Sequence, residues 1–339
     1  MRTFALAALL SVPVALVMQA CSSDDESPPA SPPQPDAGPD VASDAPALRT
    51  TGLAQTCQRG QRVTEVPATC NGSPALCSRT YDRVAVPMTH NAYSLVSGNF
   101  TPPNQTRGIA EQLDDGIRGM MLDTAYFDPL EKQDSAQRIG DLSLPDQTFL
   151  CHGPCALAQT RLLDELCTIT KFLDGHPGEV FSIIFENRIA DADTAAMLQA
   201  SGLADYVYTH ESTTAPWPTL GDMIARGKRA VIFLEQNGGT PAYLHPAWTN
   251  VWDTPYSFAS TTDFSCRLNR GATTNPLFLV NHWLSPPKPE NGEQVNVASV
   301  LGKRVEQCKN EAGRVPTFVG VDWYDKGDLF AVVQQANGL

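Results

Sequence analysis

The sequence predicts an α/β protein, an irregular TIM-type (β/α) barrel, on the strength of two observations. First, short apolar runs typical of buried strands alternate with helical patterns along most of the chain, as they do in parallel βαβ units. Second, several of these runs end directly in polar residues, and barrels of this class present reactive groups where their strands end. An open doubly wound sheet is the alternative, but no glycine-rich dinucleotide fingerprint supports it.

Seven strand-like runs can be followed in chain order. They cover residues 84–86, 117–123, 149–151, 180–185, 230–234, 277–280 and 317–321. The run 180–185 is apolar on both faces, as expected of a barrel strand covered by helices. Seven runs suit a barrel in which one strand lacks a clear pattern. After residue 234 an irregular, aromatic-rich stretch continues to about residue 274, and we expect it to form a substrate-side insertion or an outer wall.

Helical patterns fall between the strand-like runs. They cover residues 107–115, 156–174, 192–200, 219–226, 297–310 and 329–336. The second has the clearest apolar stripe, because leucine and isoleucine recur at spacings of four, three and four residues from Leu162 to Leu173. Gly116 follows the first pattern directly and is expected to end that helix.

Length and composition describe a folded protein with little affinity for nucleic acid. The chain has 339 residues, of which 42% are hydrophobic and 18% charged, and its net charge is −13. An acidic chain without a basic stripe is not expected to bind nucleic acid. We expect a monomer.

The N-terminus resembles an export signal. Arg2 precedes an apolar segment at residues 4–18, which is short for a membrane span, and Ala20-Cys21 resembles a bacterial lipoprotein cleavage site. We expect residues 1–21 to be a signal peptide with Cys21 lipidated, and ordinary secretion is the alternative. Residues 22–50 are rich in Pro, Ser and Asp and are predicted to be a disordered tether. The remaining domain, 51–339, would then be exported and anchored to a membrane of the cell envelope, or secreted.

The cysteines predict disulfide bonds. Eight remain after Cys21, an even number that is typical of exported proteins with disulfides. No paired CxxC spacing favours a zinc site. We expect the N-terminal segment 52–79 to be held by disulfides, and we favour the pairs Cys151–Cys155 and Cys266–Cys308.

Four of the runs are followed by side chains that can move protons or bind a metal ion. They deliver His90 and Asn91, Asp123, His152, and Glu186. If the strands are parallel, these side chains meet at one rim of the barrel. Two histidines can serve as base and acid near neutral pH, and the oxygen donors suit calcium or magnesium. The set therefore fits cleavage of a phosphodiester.

Other polar residues near strand ends are secondary candidates. Glu235, His282, Asp322 and Tyr324 could line the substrate wall. We expect His210 and His245 to be ordinary surface residues, because His210-Glu211 lacks the second histidine of a zinc-protease helix.

Four short motifs together resemble the X domain of phosphatidylinositol-specific phospholipase C. In chain order they are THN at 89–91, GIRGMMLD at 116–123, CHG at 151–153 and IIFEN at 183–187. The sequence is most similar to divergent secreted members, which share GIRGMMLD followed by Tyr126 and Phe127, and a C-terminal stretch like VGVDWYDKGDLF at 319–330. The resemblance implies an irregular TIM-type barrel with phospholipase C-like phosphodiesterase activity.

The resemblance also implies roles. His90 would be the general base and His152 the general acid, and Asn91, Asp123 and Glu186 would match calcium ligands of the metal-dependent branch. That branch carries a further acidic ligand where this chain has Met121, and the metal-independent branch carries an arginine where this chain has Ala125. We favour a divalent cation, calcium or magnesium, because the motifs contain no arginine that obviously offsets two carboxylates beside a phosphate.

Three functions follow as hypotheses. The first is an exported phosphoric diester hydrolase acting on a phospholipid or glycosyl-phospholipid head group. The second is a degenerate barrel that binds head groups or glycans without turnover, motivated by Met121. The third is a glycosidase using Asp123 and Glu186 as its carboxylate pair, which leaves both histidines unexplained.

Overall fold

The computed structural model describes residues 57–65 and 67–339. The predicted signal peptide 1–21, the candidate lipidation site Cys21 and the predicted tether 22–50 lie outside these residues. Among the described helices, none combines the length and apolar character needed to cross a membrane.

The elements alternate in type as expected, with several short additions. The strands are β1 (Val86–Thr89), β2 (Gly119–Asp128), β3 (Gln133–Ser135), β4 (Thr148–Leu150), β5 (Thr160–Arg161), β6 (Phe181–Asn187), β7 (Ala230–Leu234), β8 (Leu244–Pro246), β9 (Val251–Asp253), β10 (Leu277–His282) and β11 (Phe318–Val321). The helices are α1 (Ile109–Asp115), α2 (Leu144–Gln147), α3 (Leu162–Gly175), α4 (Asp191–Ala200), α5 (Leu220–Ala225), α6 (Ala247–Asn250), α7 (Pro289–Val295), α8 (Lys303–Ala312) and α9 (Leu329–Ala336).

The main sheet is a parallel barrel with one gap in its ladder. Its strand order is β8-β7-β6-β2-β1-β11-β10-β9, and each of these neighbours pairs in parallel. The first and last strands in the chain, β1 and β11, pair directly, so the sheet curls round on itself. Over residues 57–65 and 67–339, no ladder joins β8 to β9. The predicted irregular barrel is confirmed, and the doubly wound alternative is wrong.

The predicted third strand is not a barrel strand. β4 runs antiparallel to β2, with Leu150 opposite Thr124 and Thr148 opposite Tyr126. β2 is ten residues long and continues beyond the barrel wall, where β3, β4 and β5 extend it. We call residues 124–161 the flap. Because the flap occupies residues up to 161, helix α3 begins at Leu162 rather than at the predicted residue 156.

Side chains that alternate in direction along the strands form two separate buried clusters, one inside the barrel and one between the sheet and the helices. Met88, Met121, Ile184 and Phe233 belong to one buried cluster inside the barrel. Their strand neighbours, among them Leu122, belong to the cluster between the sheet and helices such as α3. The predicted stripe on α3 is buried there. Successive side chains of a strand point to opposite faces, so this alternation decides which strand-end residues face the barrel mouth.

Four disulfides brace the described chain. They join Cys57 to Cys167, Cys70 to Cys77, Cys151 to Cys155 and Cys266 to Cys308. Both predicted pairs are therefore confirmed. The first two bridges also hold the described part of the predicted N-terminal segment, from Cys57 onward, as expected.

The prediction that His210 and His245 are surface residues is wrong. They are only 7% and 4% exposed. The backbone N–H of His210 donates to His245 Nε2 at 3.0 Å, and the His210 ring stacks on Trp217 with centres 3.8 Å apart. His245 lies on β8, a three-residue strand that is too short to show a periodic pattern in the sequence.

Candidate active site

His90 follows the end of β1 and is fixed on two sides. Its backbone N–H donates to the carbonyl of Val321 at 3.0 Å. Its Nδ1 lies 2.8 Å from a carboxylate oxygen of Asp322, and its ring stacks on Trp283 with centres 4.0 Å apart. The carboxylate accepts a hydrogen bond from the Nδ1–H of His90, so Nε2, on the opposite side of the ring, is the nitrogen that can exchange a proton.

Opposing effects set the pKa of His90. Burial lowers the pKa, but the charge and hydrogen bond of Asp322 raise it, and the carboxylates of Asp123 and Glu186 raise it further. The net shift is upward, because three negative groups act on one imidazole.

Asp123 and Glu186 are direct neighbours across β2 and β6. Both lie two residues after the inner-facing Met121 and Ile184, so both side chains point to the barrel mouth. Asp123 is 7% exposed, and its pKa is raised to about 7, first by burial and then by the charge of Glu186. Glu186 forms an ion pair with Arg188 at 2.5 Å. Arg188 is thus an arginine in the IIFEN motif region that offsets one carboxylate, contrary to the sequence expectation.

Asn91 connects the histidine and the carboxylate. With its amide nitrogen toward Asp123, it donates to both carboxylate oxygens at 3.2 and 3.3 Å, and its oxygen accepts from His90 Nε2 at 3.3 Å. A cation bound to Asp123 would require the opposite orientation, with the amide oxygen toward the cation. Asn91 is 2% exposed and has the left-handed backbone conformation, with φ 44°, that asparagine tolerates better than most residues.

His152 reaches the same rim from the flap. The N–H of Cys151 donates to the carbonyl of Asp123 at 3.1 Å, which brings the residues after β4 down to the level of the carboxylates. His152 Nδ1 donates to the carbonyl of Pro102 at 3.0 Å, which leaves Nε2 available. Its pKa is lowered, first by burial and second by the positive charge of His90. The two imidazoles are therefore close enough to interact, although His152 does not follow a parallel strand.

A cavity of about 90 Å³ opens at this rim. Its charged or titratable lining is His90, Asp123, Glu186, Glu235 and Arg270, its aliphatic lining is Met121 and Ile184, and its aromatic lining is Tyr256 and Trp283. His152 stands beside the cavity rather than in its wall.

Arg270 is the main residue that sequence reasoning missed. Its guanidinium binds Glu235 at 2.8 Å and Asp253 at 2.7 Å, and it packs 3.9 Å from the Trp248 ring and 4.8 Å from the Tyr256 ring. The pKa of Glu235 is nevertheless raised to about 7, because burial outweighs the charge of Arg270. The only sequence signal was an arginine within the aromatic-rich stretch.

The four secondary candidates have different positions. Glu235 lines the cavity, whereas Asp322 lies behind His90. The prediction for His282 is wrong: it faces outward from β10, is fully buried, and its Nε2 lies 2.9 Å from the carbonyl of Val295. The prediction for Tyr324 is also wrong, because it packs in the outer core and its hydroxyl donates to Asp115 at 2.7 Å.

Three side chains at the rim carry oxygen atoms of the kind that bind a hard cation. Asn91, Asp123 and Glu186 supply oxygens, the atoms that calcium and magnesium prefer. The pKa of Asp123 is raised first by burial and only second by the charge of Glu186. In the described ranges, however, no three His, Cys, Asp or Glu side chains group closely enough to hold a metal ion. The set fits a cation held by two carboxylates and an amide, with Arg188 competing for Glu186.

Comparisons with known proteins show which family the chain belongs to. The family model described as PI-PLC X 1 matches residues 76–337. A PI-PLC X domain-containing protein 1 of Arthroderma benhamiae is 29% identical over 310 residues, covering 85% of this chain and 95% of that protein. An uncharacterized secreted protein of the same organism is 27% identical over 302 residues, covering 80% of this chain. This chain spans only 64% of the length of that secreted protein.

Among solved structures, a phosphatidylinositol-specific phospholipase C from Listeria monocytogenes superposes with a TM-score of 0.48 at 18% identity, covering 77% of this chain and 94% of that one. The match of the family model over residues 76–337 shows that the chain belongs to the PI-PLC X domain family.

Proposed function

We propose that the protein is an exported phosphoric diester hydrolase that cleaves the head group of a phospholipid or glycosyl-phospholipid. The observation that carries this proposal is the convergence of His90, His152 and Asp123 at one rim, from separate elements of the fold. Membership of the PI-PLC X domain family supports it, and a relative described as secreted supports export.

His90 is proposed as the general base. Its Nδ1 is held by Asp322, so Nε2 takes the proton from a head-group hydroxyl, and the freed oxygen attacks the phosphorus atom. The Asp322 carboxylate orients the ring and stabilises the imidazolium that forms. Stacking on Trp283 keeps the ring in this plane.

His152 is proposed as the general acid. Its Nδ1 is bound to the Pro102 carbonyl, so the proton on Nε2 passes to the glycerol oxygen as the bond from phosphorus to that oxygen breaks. A lowered pKa favours release of this proton, but it reduces the protonated fraction near neutral pH. The active protonation state, with His90 neutral and His152 charged, is therefore a minor form in the absence of substrate.

A divalent cation, calcium or magnesium, is proposed to be held by Asn91, Asp123 and Glu186. When bound, it would offset the charge of both carboxylates and of the phosphoryl oxygens. Arg188 and Arg270 contribute positive charge beside the same cavity. We therefore expect a chelator to reduce turnover, and complete insensitivity to the chelator would assign charge neutralisation to the arginines.

The test is turnover of phosphatidylinositol and glycosyl-phosphatidylinositol in vesicles. His90→Ala and His152→Ala should each lower turnover by about 10² or more, the usual scale for general acid–base groups. His176→Ala is the matched control, because His176 is exposed at the end of α3 and should leave turnover unchanged. Unchanged turnover in both site variants would refute the mechanism.

A second candidate function is head-group binding without turnover. Two residues favour it. Met121 in the cavity wall replaces the additional acidic ligand of the metal-dependent branch, and Ala125, two residues after Asp123, replaces the arginine of the metal-independent branch. Calorimetry with soluble head-group phosphates, with and without chelator, separates the two functions. Binding without turnover of any phosphodiester would favour this second function.

A further inference from the structure

A groove of about 370 Å³ opens on the face of the barrel opposite the candidate active site. Arg229, which lines it, directly precedes β7, and Pro177 lies shortly before β6. Both residues are therefore at the amino ends of parallel strands, whereas the candidate catalytic groups lie beyond the carboxyl ends. A groove of this size can hold a small molecule, and it shares no lining residue with the candidate active site.

This groove gathers positive charge in an acidic protein. Arg62, Arg226 and Arg229 line it, with Glu65 as the one carboxylate among its lining residues, although the net charge of the chain is −13. Over residues 57–65 and 67–339, none of the three arginines forms an ion pair. We call it the arginine groove.

Arg229 supplies a fixed charge beneath the arginine groove. It is 4% exposed, and its guanidinium donates to the carbonyls of Leu173, His176 and Glu179 at 2.5 to 3.0 Å. Its pKa is lowered, first by burial, and the positive charge of Arg62 acts in the same direction. The two guanidiniums thus lie close enough to repel each other, and a bound anion would relieve that repulsion.

Arg62 is held beside Arg229 by the segment that enters the domain. The N–H of Val63 donates to the carbonyl of Asp174 at 2.9 Å, which fixes the backbone next to Arg62. The Arg62 guanidinium lies 5.3 Å from the centre of the Tyr206 ring, and the Arg229 guanidinium lies 4.6 Å from the same centre. One aromatic ring therefore brings together two arginines from distant parts of the chain.

Arg226 reaches the arginine groove from a third element. It ends helix α5, where its N–H donates to the carbonyl of Asp222 at 3.1 Å, and its side chain is exposed. A positive residue stabilises the end of a helix, so the position of Arg226 alone needs no ligand. The helix end does not explain why two further arginines, also without a carboxylate partner in the described ranges, line the same groove.

We propose that the arginine groove is a second binding site, which takes an anion of the phosphate class, with Arg62 and Arg226 donating to its oxygens above the fixed charge of Arg229. A phosphate group is favoured over a carboxylate because it presents more oxygens, so guanidiniums from two elements can each form paired hydrogen bonds with it. The site faces away from the candidate active site and does not depend on the proposed function.

The experiment is calorimetry of the full chain at low salt with a chelator present. Inorganic pyrophosphate, glycerol phosphate and a monomeric short-chain phosphatidylglycerol are the probes, and they distinguish a free anion, a phosphorylated small molecule and a lipid head group as the source of the phosphate. Arg62→Gln/Arg226→Gln should bind the preferred probe at least about tenfold more weakly, because charge-assisted hydrogen bonds are lost. The matched control Arg107→Gln/Arg161→Gln removes the same charge from exposed, ion-paired arginines outside the groove and should bind within about twofold of the parent.

A third variant separates hydrogen-bond geometry from charge. Arg62→Lys/Arg226→Lys keeps the charge but loses the paired donors, so its affinity should fall between those of the parent and the glutamine variant. All the variants keep the candidate active site, so any phosphate bound there contributes equally to each titration, and the result stands even if no phosphodiester is turned over. Equal binding by the parent and the glutamine variant, no binding of any phosphate probe by the parent, or acetate binding as tight as that of pyrophosphate would overturn the assignment.

Discussion

Replacing Asp322 with asparagine tests the link between the fold and the proposed base most directly. Asp322 is 3% exposed, and its Oδ1 accepts from His90 Nδ1 at 2.8 Å and from Asn104 at 3.0 Å. Its second oxygen is buried without a hydrogen-bond partner in the described structure. The negative charge therefore acts mainly on His90, and Asp322→Asn removes it with almost no change in volume.

The expected loss follows from the strength of this contact. A hydrogen bond to a charged group contributes roughly 1.5–3 kcal/mol, so kcat should fall about 10- to 100-fold. The charge of Asp322 raises the pKa of His90, so its removal lowers that pKa. The base then loses its proton at lower pH, and the acidic limb of the pH–rate profile should move toward lower pH.

The assay is the pH dependence of kcat for vesicle-borne phosphatidylinositol, compared with thermal unfolding. Tyr324→Phe is the matched control. Tyr324 lies two residues after Asp322, and loss of its hydroxyl deletes a partly buried hydrogen bond to Asp115 at 2.7 Å without touching His90. It should cost about 1 kcal/mol of unfolding free energy and leave kcat unchanged. An Asp322→Asn variant with the parent's kcat and acidic limb would refute the reasoning.

Three further predictions concern the flap, the cation and acid stability. Cys151→Ser/Cys155→Ser should lower turnover at least about tenfold, because it frees the loop that carries His152. Removal of the Cys266–Cys308 disulfide at α8 should leave turnover unchanged. Equal losses in both variants would show a stability effect only. Met121→Glu adds a carboxylate beside Asp123 and should tighten calcium binding about tenfold in calorimetry; unchanged affinity would contradict the proposed ligand set. His245 has a pKa lowered to about 4 by burial, so the unfolded chain binds its proton first as pH falls. Urea unfolding should therefore show a loss of about 2 kcal/mol from this group between pH 7 and pH 5, which His245→Gln should remove; a variant that keeps the full pH slope would exclude this histidine as the cause.

The sequence was sufficient to find the barrel and the groups that follow its regular strands. Asp123 and Glu186 follow long apolar runs. A long run identifies both a strand and the residue at which it ends. Six of the seven predicted strands lie in the barrel wall, and the two wall strands that were missed, β8 and β9, have three residues each. Strands of that length carry no usable period.

The sequence did not show which of two adjacent residues at the end of a strand faces into the barrel. Asn281 and His282 both follow the apolar run of β10, and only the alternation of the folded strand shows that Asn281 faces in and His282 faces out. His152 reached the rim for a reason that the sequence could not supply, because pairing of β4 with β2 is a long-range choice. Arg270 was missed because its partners Glu235 and Asp253 lie 35 and 17 residues away in the chain.

The continuity of β2 has a consequence for how the family can diversify. A single ten-residue strand supplies both the barrel wall and the base of the flap, so the carrier of His152 is in place before any ligand arrives and has little freedom to adapt to it. Differences in head-group size must then be accommodated across the cavity, where the segment from Glu235 to Arg270 can change in length without disturbing the reacting groups. Among homologues, ligand choice should follow variation in that segment, while the spacing from Asp123 to His152 stays short and nearly constant.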